Sequence, residues 1–325
     1  MPSCRITGTN EVIKTYNSAG GDADYSTLQA WEEAYDVNNV VAQQSPILEP
    51  YAGVHLDSDA LNGATNDLTY FRIIRPISGA THKGIPLSDG SCVEFHSTTA
   101  NQLLSINEQY ASIQDIVGKL NINSATTYNV FNAIENYSSF IGCLAYDSSN
   151  AGAGKVNGFR QDGYAHVINC LAHNCDGYGI TGGHVTHTWY NNFTENSCAA
   201  GGLYVNAGTV VDATNCVFED GVTNDGTYNP TTCTTDSPTY RDSANDDFHI
   251  SSADTICNGN GTDLSGAAIR PFNDDIDGKV RTTDWDIGFD QYSPHIKYNG
   301  INLRTTAIKI NGIDTENIKS INGQG

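Results

Sequence analysis

Basic residues are scarce in this 325-residue chain: 16 Lys and Arg stand against 37 Asp and Glu, a formal net charge of −21. Such a chain repels phosphate backbones and anionic lipid, which argues against nucleic acid as a partner. Long apolar runs are missing as well, and none approaches the ~20 residues that a membrane-spanning helix needs. The first residues, MPSCRITGTNEV, have neither the basic stretch nor the apolar core of a secretory leader, so the protein is expected either to be intracellular or to leave the cell by some other route. Nine cysteines are present, an odd number, without a C-x-x-C pair. Zinc spacing is therefore absent. Reduced, buried thiols packing as small hydrophobes are expected in preference to a disulfide framework.

What the chain does have is glycine, 32 residues of it, with Asn, Asp, Ser and Thr recurring throughout, the vocabulary of turns between short strands. It also has a repeated phrase. SFIGCLAYDS (139–148), HVINCLAHNC (166–175), TWYNNFTENS (188–197) and DATNCVFEDG (212–221) share one pattern. Aligned, Ile116, Leu144, Leu171, Phe193 and Val217 form a file spaced by 28, 27, 22 and 24 residues. One position earlier stand Asp115, Cys143, Cys170, Asn192 and Cys216, and two earlier Gln114, Gly142, Asn169, Asn191 and Asn215. A period in this range marks a solenoid. The segments are short and β-branched, and Gly or Asn interrupts them every few residues, which excludes helical repeats. Each coil is expected to hold three short strands, with coils stacked in parallel about 4.8 Å apart. Cys is expected inside and Asn169, Asn191 and Asn215 near a turn or the outer face.

The ends need covers, because a bare coil end exposes strand edges and apolar filling. In DYSTLQAWEEAYD, Ser26 and Gln29 have capping-box spacing and Leu28, Trp31 and Tyr35 share one helical face, predicting a short amphipathic helix across the first coil. The organisation expected is an N-terminal cap over 1–50, a stacked-strand body over 51–292 and a C-terminal extension over 293–325. Within the body, 221–247 is polar and lacks strand period, so it should project as a loop, and 248–261 should add one more coil. The stretch 274–292 is expected to close the stack. The extension repeats IKYNG, IKING and IKSING and reads as an extended tail for docking or oligomerisation.

The series NCLAHN, GYGI, NNFTEN, GGLYV and NCVFED resembles the right-handed parallel β-helix repeat proteins, and GGDADYSTLQAWEEA and DIDGKVR with WDIGFDQY are similar to sequences at the ends of such helices. NIKSING is similar to short tails of phage virion proteins. The resemblance, over roughly residues 15 to 292, implies an all-β, three-strand solenoid and a rigid, trimer-prone rod. Such rods serve as tail spikes, tail fibres, capsid-surface components and adhesins, and some cleave polysaccharides.

Lyases of this shape need basic residues, and Lys155 and Arg160 alone lie within the regular coils. The polygalacturonase-like residue pattern is absent. Tyr146, His173, Glu195 and Glu219 occupy one place in successive coils, and stacking would set Glu195 and Glu219 about 5 Å apart, the separation of a retaining glycosidase pair. The same glutamates could equally be solvated at a strand end. His166, His173, His184 and His187 cluster within one coil, where strand geometry favours turn or surface positions over a metal site. Asn273, Asp275, Asp277 and Asp284, with Gly278, match the oxygen-ligand spacing of a calcium loop, although the same residues could hold a tight turn.

The function expected is that of a non-enzymatic virion structural or host-surface glycan-binding protein, homotrimeric and attached to other virion proteins through its tail. A polysaccharide depolymerase using Glu195 and Glu219 and a bacterial surface adhesin are the alternatives. The first reading places the protein in the virion, assembled in host cytoplasm; the others place it outside the cell or on its surface.

Overall fold

A computed structural model describes residues 7–82, 84–85, 90–183, 186–190, 192–194, 198–267, 272–281 and 284–292, with short strands at 296–298, 301–303, 309–310 and 313–314. From Ser45–Pro50 to Thr227–Thr231, strands recur in strict rotation among three parallel sheets. Sheet I has nine strands and runs in chain order from Glu11–Tyr16 through Ser45–Pro50, Arg72–Ile74, Ala111–Gln114, Ser138–Ile141, Ala165–Ile168, Thr186–Tyr190 and Val210–Thr214 to Thr227–Thr231. Sheet II takes the next strand of each coil and sheet III the one after, seven in each. Every hydrogen-bonded neighbour in these sheets is the equivalent strand one coil away, which defines a three-sheet parallel β-helix.

Register lines up the repeated phrase. Leu144, Leu171, Phe193 and Val217 are successive partners in sheet II. The first member differs from the sequence expectation: Val117, not Ile116, pairs with Leu144, because the earliest phrase is offset by one residue. The pairing between sheets I and II correspondingly puts Cys143 beside Cys170, and Cys216 beside Cys233 one coil further on.

The preceding position is a corner. Asp115, Gly142, Asn169, Asn215 and Thr232 all have φ between 46° and 63°, the left-handed region that Gly and Asn tolerate best. This explains the recurring Asn or Gly: the chain must turn sharply from sheet I into sheet II there. The Cys behind it points inward and is buried at Cys143, Cys170 and Cys216.

Inside, size is matched across the coil. Leu104, Phe131, Phe159, Ile180 and Leu203 form one register file on sheet III, all essentially inaccessible. The Phe131 and Phe159 rings stack at 5.0 Å. Opposite them sheet II carries the small file Gly118, Ala145 and Ala172. A side chain at Gly118 would lie 2.4 Å from Val130 and 2.9 Å from Phe131. Each such large apolar side chain contributes about 1.5–3 kcal/mol on burial.

The N-terminal cover forms as expected, with a shifted cap. Helix α1 (Leu28–Tyr35) begins after Thr27, whose Oγ1 accepts from the Ala30 N–H at 3.2 Å, so Thr27 and not Ser26 is the N-cap. Leu28 and Trp31 are buried beneath it. Helix α2 (Asn39–Ala42) follows. Strands Glu11–Tyr16 and Ser45–Pro50 already belong to sheet I, so the first 50 residues are cap and coil together.

Beyond residue 220 the structure departs from the sequence reading in three ways. First, Val222–Asn224 and Thr227–Thr231 add a further coil to sheets III and I, and Thr234 still pairs with Val217, so only the stretch after 234 leaves the stack. Second, Asp247–Ile250 is no coil strand: it pairs antiparallel with Tyr240–Asp242 as a hairpin. Third, the described residues of the stretch 274–292, expected to close the stack, contact its side. Those contacts fall on the corner ladder, where the Asn169 amide donates to Asp274 O (3.3 Å) and the Gly288 N–H donates to Asn215 O (2.8 Å). Leu264, Phe272 and Trp285 cover Ile141 and Ile168 on the outer side of sheet I. These two isoleucines face away from the coil interior, so an apolar lid is required, and a polar period could not reveal it.

Residues 292–325 form a separate compact unit. It contains hairpins Ile296–Tyr298 with Ile301–Leu303 and Lys309–Ile310 with Ile313–Asp314, where an extended tail was expected. In sequence, Asn-Gly lies between the paired strands each time, the dipeptide that two-residue hairpin loops favour.

Candidate functional site

The glutamate file sits on the outer side of sheet II. Tyr146 and His173 are register partners with rings stacked at 5.4 Å. Glu195 lies outside the described residues. Glu219 accepts from the Tyr240 hydroxyl, and Tyr240 belongs to the hairpin that folds over this file. Phe248 of the hairpin lies 4.5 Å from the His173 ring, and the Tyr146 hydroxyl donates to Asp246 at 2.7 Å. Burial, then the hydrogen bond to Asp246, raises the Tyr146 hydroxyl far above its ordinary range. The hairpin thus folds over this file, with Glu219 half-buried beside it. Of the other expected histidines, His184 lies outside the described residues and His166 is half-buried in sheet I.

The calcium-loop residues take different places. Asp275 is fully buried and its Oδ1 accepts from the Lys279 N–H at 2.8 Å, closing a turn. Asp277 pairs with Lys279 Nζ (2.7 Å) and His249 Nε2 (3.4 Å). Asp284 is exposed, and Asn273 is half-buried. Among the described residues no three His, Cys, Asp or Glu side chains are grouped to hold a metal ion. Asp275 serves a turn and Asp277 an ion-pair cluster. His249 Nδ1 also meets Asp247 at 2.5 Å. Burial opposes the positive charge on His249, yet Asp290, Asp247 and Asp277 overcome it and hold the ring at about 10. The same cluster keeps Asp277 and Asp247 below the usual carboxylate range. Buried and self-satisfied, this cluster ties the hairpin to the flank segment.

Sheet III carries a different surface, which sequence reasoning missed. A groove of ≈ 280 Å³ runs across its outer side, lined by Lys155, Asn157, Arg160, Tyr178, Tyr204 and Asn206 among others. Tyr178 and Tyr204 stack at 5.0 Å and 18°. Gly201 makes this possible: at φ 138° it has no side chain where the Tyr178 ring passes within 3.1 Å of a would-be Cβ. Asn157 is fixed by its Oδ1 accepting from the Tyr178 N–H (2.8 Å) and its amide donating to Asn129 (2.9 Å). Asn206 donates to Gly182 O at 2.7 Å. Arg160 is steadied by Asp162 at 2.9 Å, and the Tyr204 hydroxyl donates to Asp225 at 2.9 Å, a bond that raises its pKa. Lys155 is exposed. The signal available in sequence was the isolation of Lys155 and Arg160, the sole basic residues between positions 120 and 240.

A second recess of ≈ 320 Å³ on sheet II is lined by Lys119, Asp147, Asn174 and Asp176. Its groups bond one another: Lys119 and Asn174 both reach Asp147, at 3.2 and 2.6 Å, and Asp176 accepts the N–H groups of Asn150 and Val156.

Fold and surface together define a parallel β-helix with a cation- and tyrosine-lined groove on one sheet. No family model matches the sequence, and no curated protein does. Among solved structures, a pectin methylesterase from Aspergillus niger is similar, with 14% identity over 70% of this chain and 87% of that one and a TM-score of 0.44. The architecture stated above stands on this chain's own strand pairing.

Proposed function

We propose that this chain is a polysaccharide-binding β-helix that takes its ligand along the sheet III groove. The observation carrying this reading is the meeting of Lys155 and Arg160 with the Tyr178–Tyr204 pair in one groove on a chain of net charge −21. Sugar rings pack their C–H faces on aromatic rings, and their oxygens accept hydrogen bonds from Lys, Arg and Asn. Stacked coils supply such groups at a regular spacing, which suits an extended repeating ligand better than a compact one. Among the described residues the groove lining includes no Asp or Glu, so cleavage by a carboxylate pair forms no part of this reading. A rod that recognises glycan along one side fits host-surface attachment by a virion protein.

The test is a glycan array probed with the full chain, followed by titration of any ligand found. Tyr178→Ala and the double variant Lys155→Ala/Arg160→Ala should each weaken binding by roughly tenfold or more, about 1.4 kcal/mol. Lys14→Ala, remote from the groove, should leave it unchanged. Equal binding by all variants, or no binding to any polysaccharide, would overturn the reading.

A further inference from the structure

Cys216 and Cys233 are register partners at the C-terminal end of the stack. The offset is constant around them: Asp212 pairs with Asn229, Thr214 with Thr231 and Val217 with Thr234. The Cys216 N–H donates to the Cys233 sulfur at 3.4 Å. Among the described cysteines seven are buried and Cys233 alone is half-exposed. It follows Thr227–Thr231, the last strand in sheet I, which has a paired neighbour on one side only. The half-exposed cysteine therefore stands directly over a buried one.

We propose that Cys216 and Cys233 form a thiol–disulfide exchange site that reacts with small-molecule disulfides and closes to an intramolecular bond. Adjacent parallel strands set partner Cα atoms about 4.8 Å apart, within the roughly 4.4–6.8 Å that a disulfide spans. The Cys233 thiolate attacks one sulfur of the small disulfide, forming a mixed disulfide and releasing one thiolate, which takes up a proton. The Cys216 sulfur, deprotonated, then attacks the Cys233 sulfur and expels the second small thiol. Two protein thiols are oxidised to one disulfide, and one small disulfide is reduced to two thiols. The order follows from the surroundings. Burial pushes the Cys216 thiol up, whereas the hydrogen bond from Cys216 holds Cys233 below the ordinary thiol range, and low-pKa accessible thiols attack first. Cys143 and Cys170 provide the internal comparison, being stacked in the same way, with the Cys143 N–H donating to the Cys170 sulfur at 3.3 Å, but buried on both sides.

The experiment treats the native full chain with glutathione disulfide and maps peptides by mass without reduction. Cys216 and Cys233 should leave the free-thiol pool as one cross-linked pair, at least roughly tenfold faster than Cys143 and Cys170, since exchange follows access and thiolate character. Cys216→Ala should trap glutathione on Cys233, and Cys233→Ala should leave Cys216 unreacted. Equal oxidation of the Cys143–Cys170 pair, a mixed disulfide on Cys233 that never resolves, or no reaction in the native chain would each overturn the proposal. The wild-type map decides the matter even where a variant fails to fold.

Discussion

Asn215 grips Thr262 from both ends of its amide: Nδ2 donates to Thr262 O at 2.8 Å and Oδ1 accepts from the Thr262 N–H at 2.8 Å. One residue thereby makes the corner between sheets I and II, with φ 54°, and anchors the flank segment to it. Asn215→Gly should keep the corner and lose the grip, costing about 1–3 kcal/mol at 0.5–1.5 per hydrogen bond. Asn215→Ala should cost about 1 kcal/mol more, because alanine resists the left-handed conformation. Urea unfolding of both variants measures the difference. Equal stability of the two would show that the corner strain is relieved elsewhere.

Arg72 is fully buried between Glu108 and Glu32 and also donates to Asn62 O at 2.9 Å. Burial raises the Glu108 carboxyl even though Arg72 opposes the rise, so the pair depends on staying intact. Arg72→Met should destabilise the N-terminal coils by roughly 3–5 kcal/mol through the stranded carboxylate. Adding Glu108→Leu should recover a large part of that loss, as read by thermal unfolding of the single and double variants.

Stability should fall on both sides of mildly acidic pH. Asp247 and Asp277 are held low, so their contribution is present above their ordinary value of 3.8 and lost as pH falls further. Asp275 is raised to about 7, by burial first and then by Asp290. Its contribution is complete below 3.8 and drains away as pH climbs to about 7. His249, raised to about 10, adds a second loss between 6.5 and about 10. Asp275→Asn should therefore flatten the slope of the unfolding midpoint between pH 4 and 7, worth about 1–4 kcal/mol, and leave the alkaline fall in place.

Chelation should change little. Asp277 is already paired with His249 and Lys279, so EGTA is expected to leave the unfolding midpoint where it is, and added calcium likewise. A rise with calcium, abolished in Asp277→Asn, would restore the metal-loop reading of 273–284.

The tail carries the oligomerisation proposal. Since residues 1–291 form a compact unit by themselves, a chain ending at Gln291 should unfold at the same temperature as the full chain. Light scattering should then find the full chain in a larger assembly than the truncated one. The same mass for both would remove the tail from assembly.

Much of the fold was legible because stacking is a one-dimensional code. Coils that lie over one another must repeat the residues that turn corners and fill the interior, so Asn169, Asn215, Cys143, Cys170 and Cys216 show their roles by recurrence alone. The one-residue slip at Ile116 arose where the earliest phrase lacks both the Asn and the Cys that anchor the alignment. Legibility stopped where contacts cease to be periodic. The hairpin that occupies Glu219 comes from residues 240–250, and the flank segment reaches Asn169 from Asp274, 105 residues away; neither pairing leaves a trace in local spacing.

The groove illustrates the same division. Sequence determined that Lys155 and Arg160 stand alone in an acidic chain and that the coils repeat. Only the tertiary structure decided that Tyr178 and Tyr204, from different coils, stack beside those cations across a glycine, and that a hairpin folds over Glu219. The reason is geometric: periodicity specifies which residues share a file, whereas the packing of non-repeating segments determines which file remains open to solvent.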